Sequence, residues 1–268
     1  MTAAALCGAL DKEDGMHAEV ELVAAITRTQ IVVTVGNLLG AIPLAVLVDL
    51  FFRCVDGTPF LSVEVARHGL ESMHPFESLT IPFAALTGCF LWLSSLCAGW
   101  TANWMVLNRI PAGIAQSRRI RAFLGSDRAL QLAQIVKHHL SGVAGYVCLG
   151  LLLGLLPFVG VFAGLPLQVR HITLASASVA YDVSSLAWRG VVPWAAVLWA
   201  LVGLIATGVL NFSVSFALGL WLAVRARNLE TSGRKELLLA LWNEVRTHPS
   251  RFLWSHQSFS SDNKGALL

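Results

Sequence analysis

The run Val191–Val224, VVPWAAVLWALVGLIATGVLNFSVSFALGLWLAV, holds 34 residues and no charged side chain. As one helix it would be about 51 Å long at 1.5 Å per residue, whereas the hydrocarbon core of a bilayer is ~30 Å thick. The run therefore predicts either a tilted helix that protrudes from the membrane or one that breaks near Gly208–Asn211. Three other runs are long enough to cross: Ile31–Phe52, Leu79–Trp100 and Ser141–Leu165. Charged residues make up only 13% of the 268-residue chain, against roughly 25% in soluble domains. A soluble fold of this size has too much surface for so few charges. The expected class is all-α, a polytopic transmembrane helical bundle of about four spans. A six-span alternative counts 171–189 as a weak span and divides 191–224 into two.

The polar stretches divide the chain into a polar N-terminal segment (1–30), a transmembrane domain (31–228) and a basic tail (229–268). A short helix is expected around Ala18–Thr29, an amphipathic piece around Val63–Met73, and an amphipathic helix at Lys235–Arg246. Within 101–140 the signals describe a helical hairpin. Pro111 suits a helix start, Ile120, Phe123 and Leu124 share a face, Gly125 supplies a stop and Ser126 a cap. Trp92, Trp100 and Trp104 suit the headgroup level at one end of the second span.

Lysine and arginine placement sets the expected orientation. The hairpin carries Arg109, Arg118, Arg119, Arg121, Arg128 and Lys137, and the stretch 225–268 carries seven basic residues. The two remaining connections carry two each, Arg53 with Arg67 and Arg170 with Arg189. The hairpin and both termini are thus expected in the cytoplasm, with the chain in a bacterial inner membrane. Arg118, Arg119, Arg121 and Arg128 form a cationic surface suited to anionic lipid headgroups, with DNA the less favoured partner.

The candidate polar cluster is Arg170, His171, Asp182, Asn37 and Asn211. In one reading Arg170 snorkels to lipid phosphate and fixes the depth of a span. In the other, Arg170 binds an anion, His171 titrates near neutral pH and Asp182 is the counter-ion. Asn37 and Asn211 sit at membrane depth, where a polar group is costly unless paired, so each either bonds a neighbouring helix or lines a polar path. The glycine pairs Gly36/Gly40, Gly150/Gly154 and Gly160/Gly164 permit close helix approach, expected first within the chain and secondly in a homo-oligomer or with a membrane partner. His138–His139 has no ligand spacing around it, the five cysteines form no C-x-x-C pair, and no metal or cofactor is expected.

Four stretches have a specific wording: IPFAALTGCFLWLSSLCAGWTANW (81–104), RIPAGIAQSRRIRAFLG (109–125), SGVAGYVCLGLLLGLLPFVGVFAGLPLQVRHITLAS (141–176) and LNFSVSFALGLWLAVRARN (210–228). RTHPSRFL (246–253) adds a basic box. In these the chain resembles the membrane-embedded region of the bacterial site-specific recombinase family, the gonococcal-recombinase-like proteins. The resemblance implies a longer protein with a large soluble N-terminal region, so this chain is a fragment, a short member or the product of an internal start. It also implies DNA recombination, which the residues themselves do not support. Strand exchange needs a nucleophile and groups that stabilise a phosphoryl transition state. The only tyrosines, Tyr146 and Tyr181, precede the only H-x-x-R, His248–Arg251, and acids are scattered. The residues favour a non-catalytic membrane scaffold or assembly partner. The alternatives are a small-solute or ion transporter, and the recombination that the family name states.

Overall fold

The computed structural model describes residues 15–165, 167–226 and 231–253. Every regular element among them is helical. Helix α1 spans Gly15–Asp56, α2 Val63–Ser72, α3 Thr80–Leu107, α4 Ile110–Gln116, α5 Arg118–Leu124, α6 Ser126–Ala163, α7 Ile172–Trp188, α8 Trp194–Ala226 and α9 Thr231–Thr247, with a 3-10 turn at Pro249–Phe252. Four helices are long and apolar enough to cross a membrane: α1 over Val23–Asp56, α3, α6, and α8 over Trp194–Ala223. Their outward apolar side chains, such as Leu39, Leu151, Phe162 and Ile205, are exposed in the protein alone, as lipid-facing side chains must be. Cys7, the acids Asp11, Glu13 and Asp14, Arg227 and Lys264 lie outside the described residues.

The helices are longer than the apolar runs. The segment expected as a short helix at Ala18–Thr29 is the beginning of the 42-residue α1. The second arm of the hairpin and the third span are one 38-residue helix, α6. Neither junction contains a proline, and Gly142 at the second is accommodated within the helix, so backbone hydrogen bonding continues across the change in polarity. Gly125, at φ 84°, is the N-cap of α6, and Ser126 is its first helical residue rather than its cap. Ser117 caps α5 by accepting from Ile120 N, and Ser62 caps α2 by accepting from Val65 N.

Helix α8 runs unbroken for 33 residues, so the break expected near Gly208–Asn211 does not occur. The division on which the six-span alternative depends is absent. The length has a different explanation. The first third of α8 packs with α2 and α7 around a core of Ala66, Leu70, Met73, Ala175, Val179, Leu186, Val197, Ala200 and Leu204. The first third of α8 thus serves this small helical cluster. The amphipathic piece expected around Val63–Met73 in the polar connection 53–78 is α2, which buries Ala66 and Leu70 in that cluster.

The described residues fall into two compact units, Leu38–Leu220 and a second made of residues before Leu38 and after Leu220. In the larger unit, α3 and α6 are antiparallel, and a side chain at Gly145 would meet Ala98 Cβ at 3.1 Å. Helix α8 approaches α3 at Gly88, where a Cβ would lie 2.8 Å from Val214 Cβ and 3.0 Å from Leu210 O. At Gly203 the carbonyl of Met73 occupies the place of a Cβ. In the second unit, Arg28 joins Glu21 at 2.8 Å and donates to the Arg251 carbonyl, so the terminal turn is fastened to the start of α1.

Gly88→Leu is therefore expected to lower the melting temperature of the detergent-solubilised chain sharply, because backbone and Cβ atoms of α8 block the new side chain. Gly99→Leu, where nothing lies within 4 Å, should melt as the parent does. Equal melting of the two variants would overturn this packing.

Candidate functional site

Buried polar groups gather near the start of α3, Thr80, Thr87 and Asn211 among them. Asn211, on α8, is 3% exposed. Its Nδ2 donates to Ala84 O at 2.9 Å and to Arg170 O at 2.9 Å, and its Oδ1 accepts from Ile172 N at 3.0 Å. One amide thus joins α8, α3 and the segment leading into α7. Arg170 N donates to Thr87 Oγ1 at 3.2 Å. The Arg170 guanidinium donates through Nη2 to Ser72 O at 2.8 Å and to Gln168 Oε1 at 2.7 Å. Gly208 lies one turn before Asn211 on the same face, and a Cβ there would sit 3.3 Å from Ile172 Cδ1. Gly208 and Asn211 receive the start of α7, which is why a small and a polar residue interrupt an apolar run without breaking it.

Of the five residues in the expected cluster, Arg170, His171 and Asn211 come together and Asp182 does not join them. Asp182 stands eleven residues after His171, on α7, and no ion pair between it and Arg170 forms. Asn37 is exposed on α1 and makes no side-chain hydrogen bond among the described residues. His171 is the N-cap residue of α7. Burial pushes its imidazole below the ordinary histidine range and so keeps it neutral at pH 7, rather than poised to titrate there.

Asp182 is 4% exposed, with a carboxylate oxygen buried and without a hydrogen-bond partner among the described residues. It lies against Gly69 of α2, so tightly that its carboxylate fills the position of a Cβ. Desolvation raises its pKa from 3.8 to about 7.

A second node lies outside the residues expected from the sequence. Asp49, near the end of α1, has no exposed surface. Its Oδ1 accepts from Phe60 N at 2.8 Å and Ser185 Oγ at 2.9 Å, and its Oδ2 accepts from Ser184 Oγ at 2.6 Å and pairs with Arg53. Arg53 also donates to Ser184 O at 2.7 Å and covers the Trp188 ring at 5.0 Å from its centroid. Arg189 donates to Leu61 O at 2.8 Å and Ser185 O at 3.0 Å. Only the i,i+4 spacing of Asp49 and Arg53 was available as a hint. The serines lie 135 and 136 residues away.

Arg118, Arg119, Arg121 and Arg128 are all exposed, on α5 and the first turn of α6. Phe123 stands among them at 88% exposure, with Val106 and Leu107 exposed at the end of α3. In the tail, Arg251 meets Glu244 at 2.6 Å and His248 lies 3.4 Å from it. The hydrogen bond from Arg251 holds the Glu244 carboxyl below its usual range. The H-x-x-R motif is thus a helix-end clasp. Trp100 is exposed, whereas the indole nitrogen of Trp92 is buried without a partner among the described residues.

A family model described as "Site-specific recombinase" matches residues 1–255. No curated protein matches the chain, and no solved structure does.

The two aspartates generate opposite expectations. Asp49→Ala strands Arg53 and two serines, and removal of one partner from a buried pair costs about 3–5 kcal/mol. Denaturant titration of the solubilised chain should show that loss, with partial recovery in Asp49→Ala/Arg53→Ala. For Asp182 the folded state retains a proton that the unfolded state has released between about pH 4 and pH 7. Its contribution therefore favours folding at low pH, declines as pH rises through that window and is flat above it. Asp182→Asn should melt higher than the parent at about pH 8 and near it at about pH 5; a difference independent of pH would refute the assignment.

Proposed function

The chain belongs to the site-specific recombinase family, and on that premise we propose that it serves as a non-catalytic scaffold or assembly partner in the bacterial inner membrane. The observation that carries this reading is how the buried polar side chains are used. Asn211 and Asp49, both buried, spend their donors and acceptors on holding helices and loops in place. Neither presents a free acid, base or nucleophile to a substrate.

The tyrosines fit the same reading. Tyr146 is 77% exposed on α6, inside the segment counted as a span, where duplex DNA has no access. Tyr181 packs its ring 5.1 Å from that of Phe60. The clasp of His248, Arg251 and Glu244 accounts for the H-x-x-R without a phosphate. Transport would draw on a broken helix near Gly208–Asn211, and α8 is continuous there.

The arginines of α5 and the first turn of α6, with Phe123 among them, suit an anionic cytoplasmic leaflet: the cations meet lipid phosphate and the phenyl ring enters the interface. This orientation leaves both termini in the cytoplasm. A Cβ added to Gly36, Gly40, Gly150 or Gly154 would meet nothing within 4 Å among the described residues, so these glycines do not serve the close intrachain packing expected of them. In lipid, such faces allow a helix of another copy or another membrane protein to approach closely.

Two experiments test the proposal. A plasmid inversion reporter carrying the full chain should show no inversion above background; inversion lost in Tyr146→Phe or Tyr181→Phe would reverse the reading. Cross-linking in native membranes through Leu151→Cys should capture a neighbouring helix. Gly150→Leu/Gly154→Leu should abolish that cross-link without lowering the melting temperature, and an unchanged cross-link would remove this face from the scaffold.

A further inference from the structure

A cleft of about 310 Å³ opens in the larger unit where α2, the start of α3 and the segment before α7 meet. Arg170 and Gln168 line it on one side, Glu71 and Glu77 elsewhere, and Leu79 and Phe83 of α3 supply apolar surface. Its volume lies at the lower end of the range for small-ligand sites, ~300–1,000 Å³. Nothing in the scaffold reading uses it.

The charges of the cleft select the ligand. Arg170 directs Nη2 to Ser72 O and Gln168 Oε1, which leaves Nη1 with no partner among the described residues and fixes the plane of the fork. Gln168 accepts that bond through Oε1, so its amide nitrogen is also available as a donor. Two donors on one wall suit a phosphate. A simple anion is nonetheless a poor match, because Glu71 and Glu77 share the cleft and would repel it. A simple amine is opposed by Arg170. A group that carries phosphate and ammonium together satisfies both walls at once.

The ammonium should be primary. A primary ammonium donates three hydrogen bonds, which two carboxylates can accept. A quaternary ammonium donates none and is recognised instead by aromatic faces; Phe83, the one phenyl ring lining the cleft, is 8% exposed.

We propose that this cleft binds the phosphoethanolamine headgroup of a membrane phospholipid, with phosphate at Arg170 and Gln168 and ammonium at Glu71 and Glu77. The lipid, rather than a soluble phosphoethanolamine, is the source because the cleft opens at the first turn of a membrane-spanning helix. Leu79, 51% exposed, and Phe76, 78% exposed, extend the apolar surface beside it, where glycerol and the first acyl carbons would lie. The charged hairpin of α5 and α6 has no part in this site, which stands at the opposite end of α3.

The test is native mass spectrometry of the full chain in detergent, titrated with phosphatidylethanolamine, phosphatidylcholine and phosphatidylglycerol of identical acyl chains. Arg170 also supports Ser72, so the informative variants are Glu71→Gln and Glu77→Gln, whose side chains are exposed. Wild type should retain phosphatidylethanolamine over phosphatidylcholine, and the double variant should lose about tenfold of that preference, the size of one charge-assisted hydrogen bond, with unchanged melting. Three results would overturn the proposal. They are equal retention of the two lipids by wild type, an undiminished preference in the double variant, and tighter binding of phosphatidylglycerol than of phosphatidylethanolamine. Displacement of the lipid by millimolar soluble phosphoethanolamine would overturn the choice of source.

Discussion

A carboxylate removed from water costs free energy unless its lone pairs are filled, and the arrangement around Asp49 follows from how that is achieved. One oxygen takes a backbone N–H from the loop after α1 and a hydroxyl from α7; the other takes a second hydroxyl from α7 and the guanidinium of Arg53. These partners come from three separate pieces of chain, so their assembly fixes three pieces at once. The loop can reach α2 only from the position that Phe60 N imposes, and α2 then completes the apolar core with α7 and the first third of α8. A hydrophobic core alone is tolerant of sliding; a directional bond to a buried charge is not. The polar node specifies the register in which the small cluster closes.

Asp182 shows the same physics with the opposite result. It is buried as Asp49 is, on the same helix as the serines that serve Asp49, yet its carboxylate finds Gly69 and, among the described residues, no donor for the oxygen sealed from solvent. Proximity to a polar network is therefore not enough to keep a carboxylate charged. The difference between the two residues is the number of donors aimed at each, and only the folded structure reveals that number.

The class of fold was legible in the sequence because hydropathy is additive along a chain: four long apolar runs remain apolar whatever packs on them. Helix ends were less legible. Ala18–Thr29 and Ser126–Leu140 are polar, and polarity suggests a boundary, but no proline follows either one closely, and Gly142 by itself does not interrupt the helix. The site was half legible. Asn211 and Arg170 drew attention as polar groups in or beside apolar runs, and they do meet. That the Arg170 guanidinium is held by the Ser72 carbonyl and by Gln168 rather than by Asp182 depends on the turn at Gly164, φ 64°, and on the course of the segment after it. Ser184 and Ser185 carry no signal at all, since serine is common and their partner lies 135 residues upstream of the first.

Glycine spacing was the least reliable guide, for a physical reason. A small-xxx-small pair states that a helix can be approached closely, and it says nothing about what approaches. Of the expected pairs, only Gly160 makes a close intrachain contact, where a Cβ would lie 2.8 Å from Leu165 O; Gly69, Gly88 and Gly203, outside those pairs, are approached as closely, while Gly150 and Gly154 face open space. A membrane protein gains little from leaving two backbone-exposing glycines against lipid, because lipid fills the groove as it would fill any other. Glycine in a helix costs ~1 kcal/mol relative to alanine. Two such costs on one face of α6 are offset only if another backbone lies there, and within the larger unit none does. On the proposed scaffold reading, this open face is where a neighbouring helix would lie.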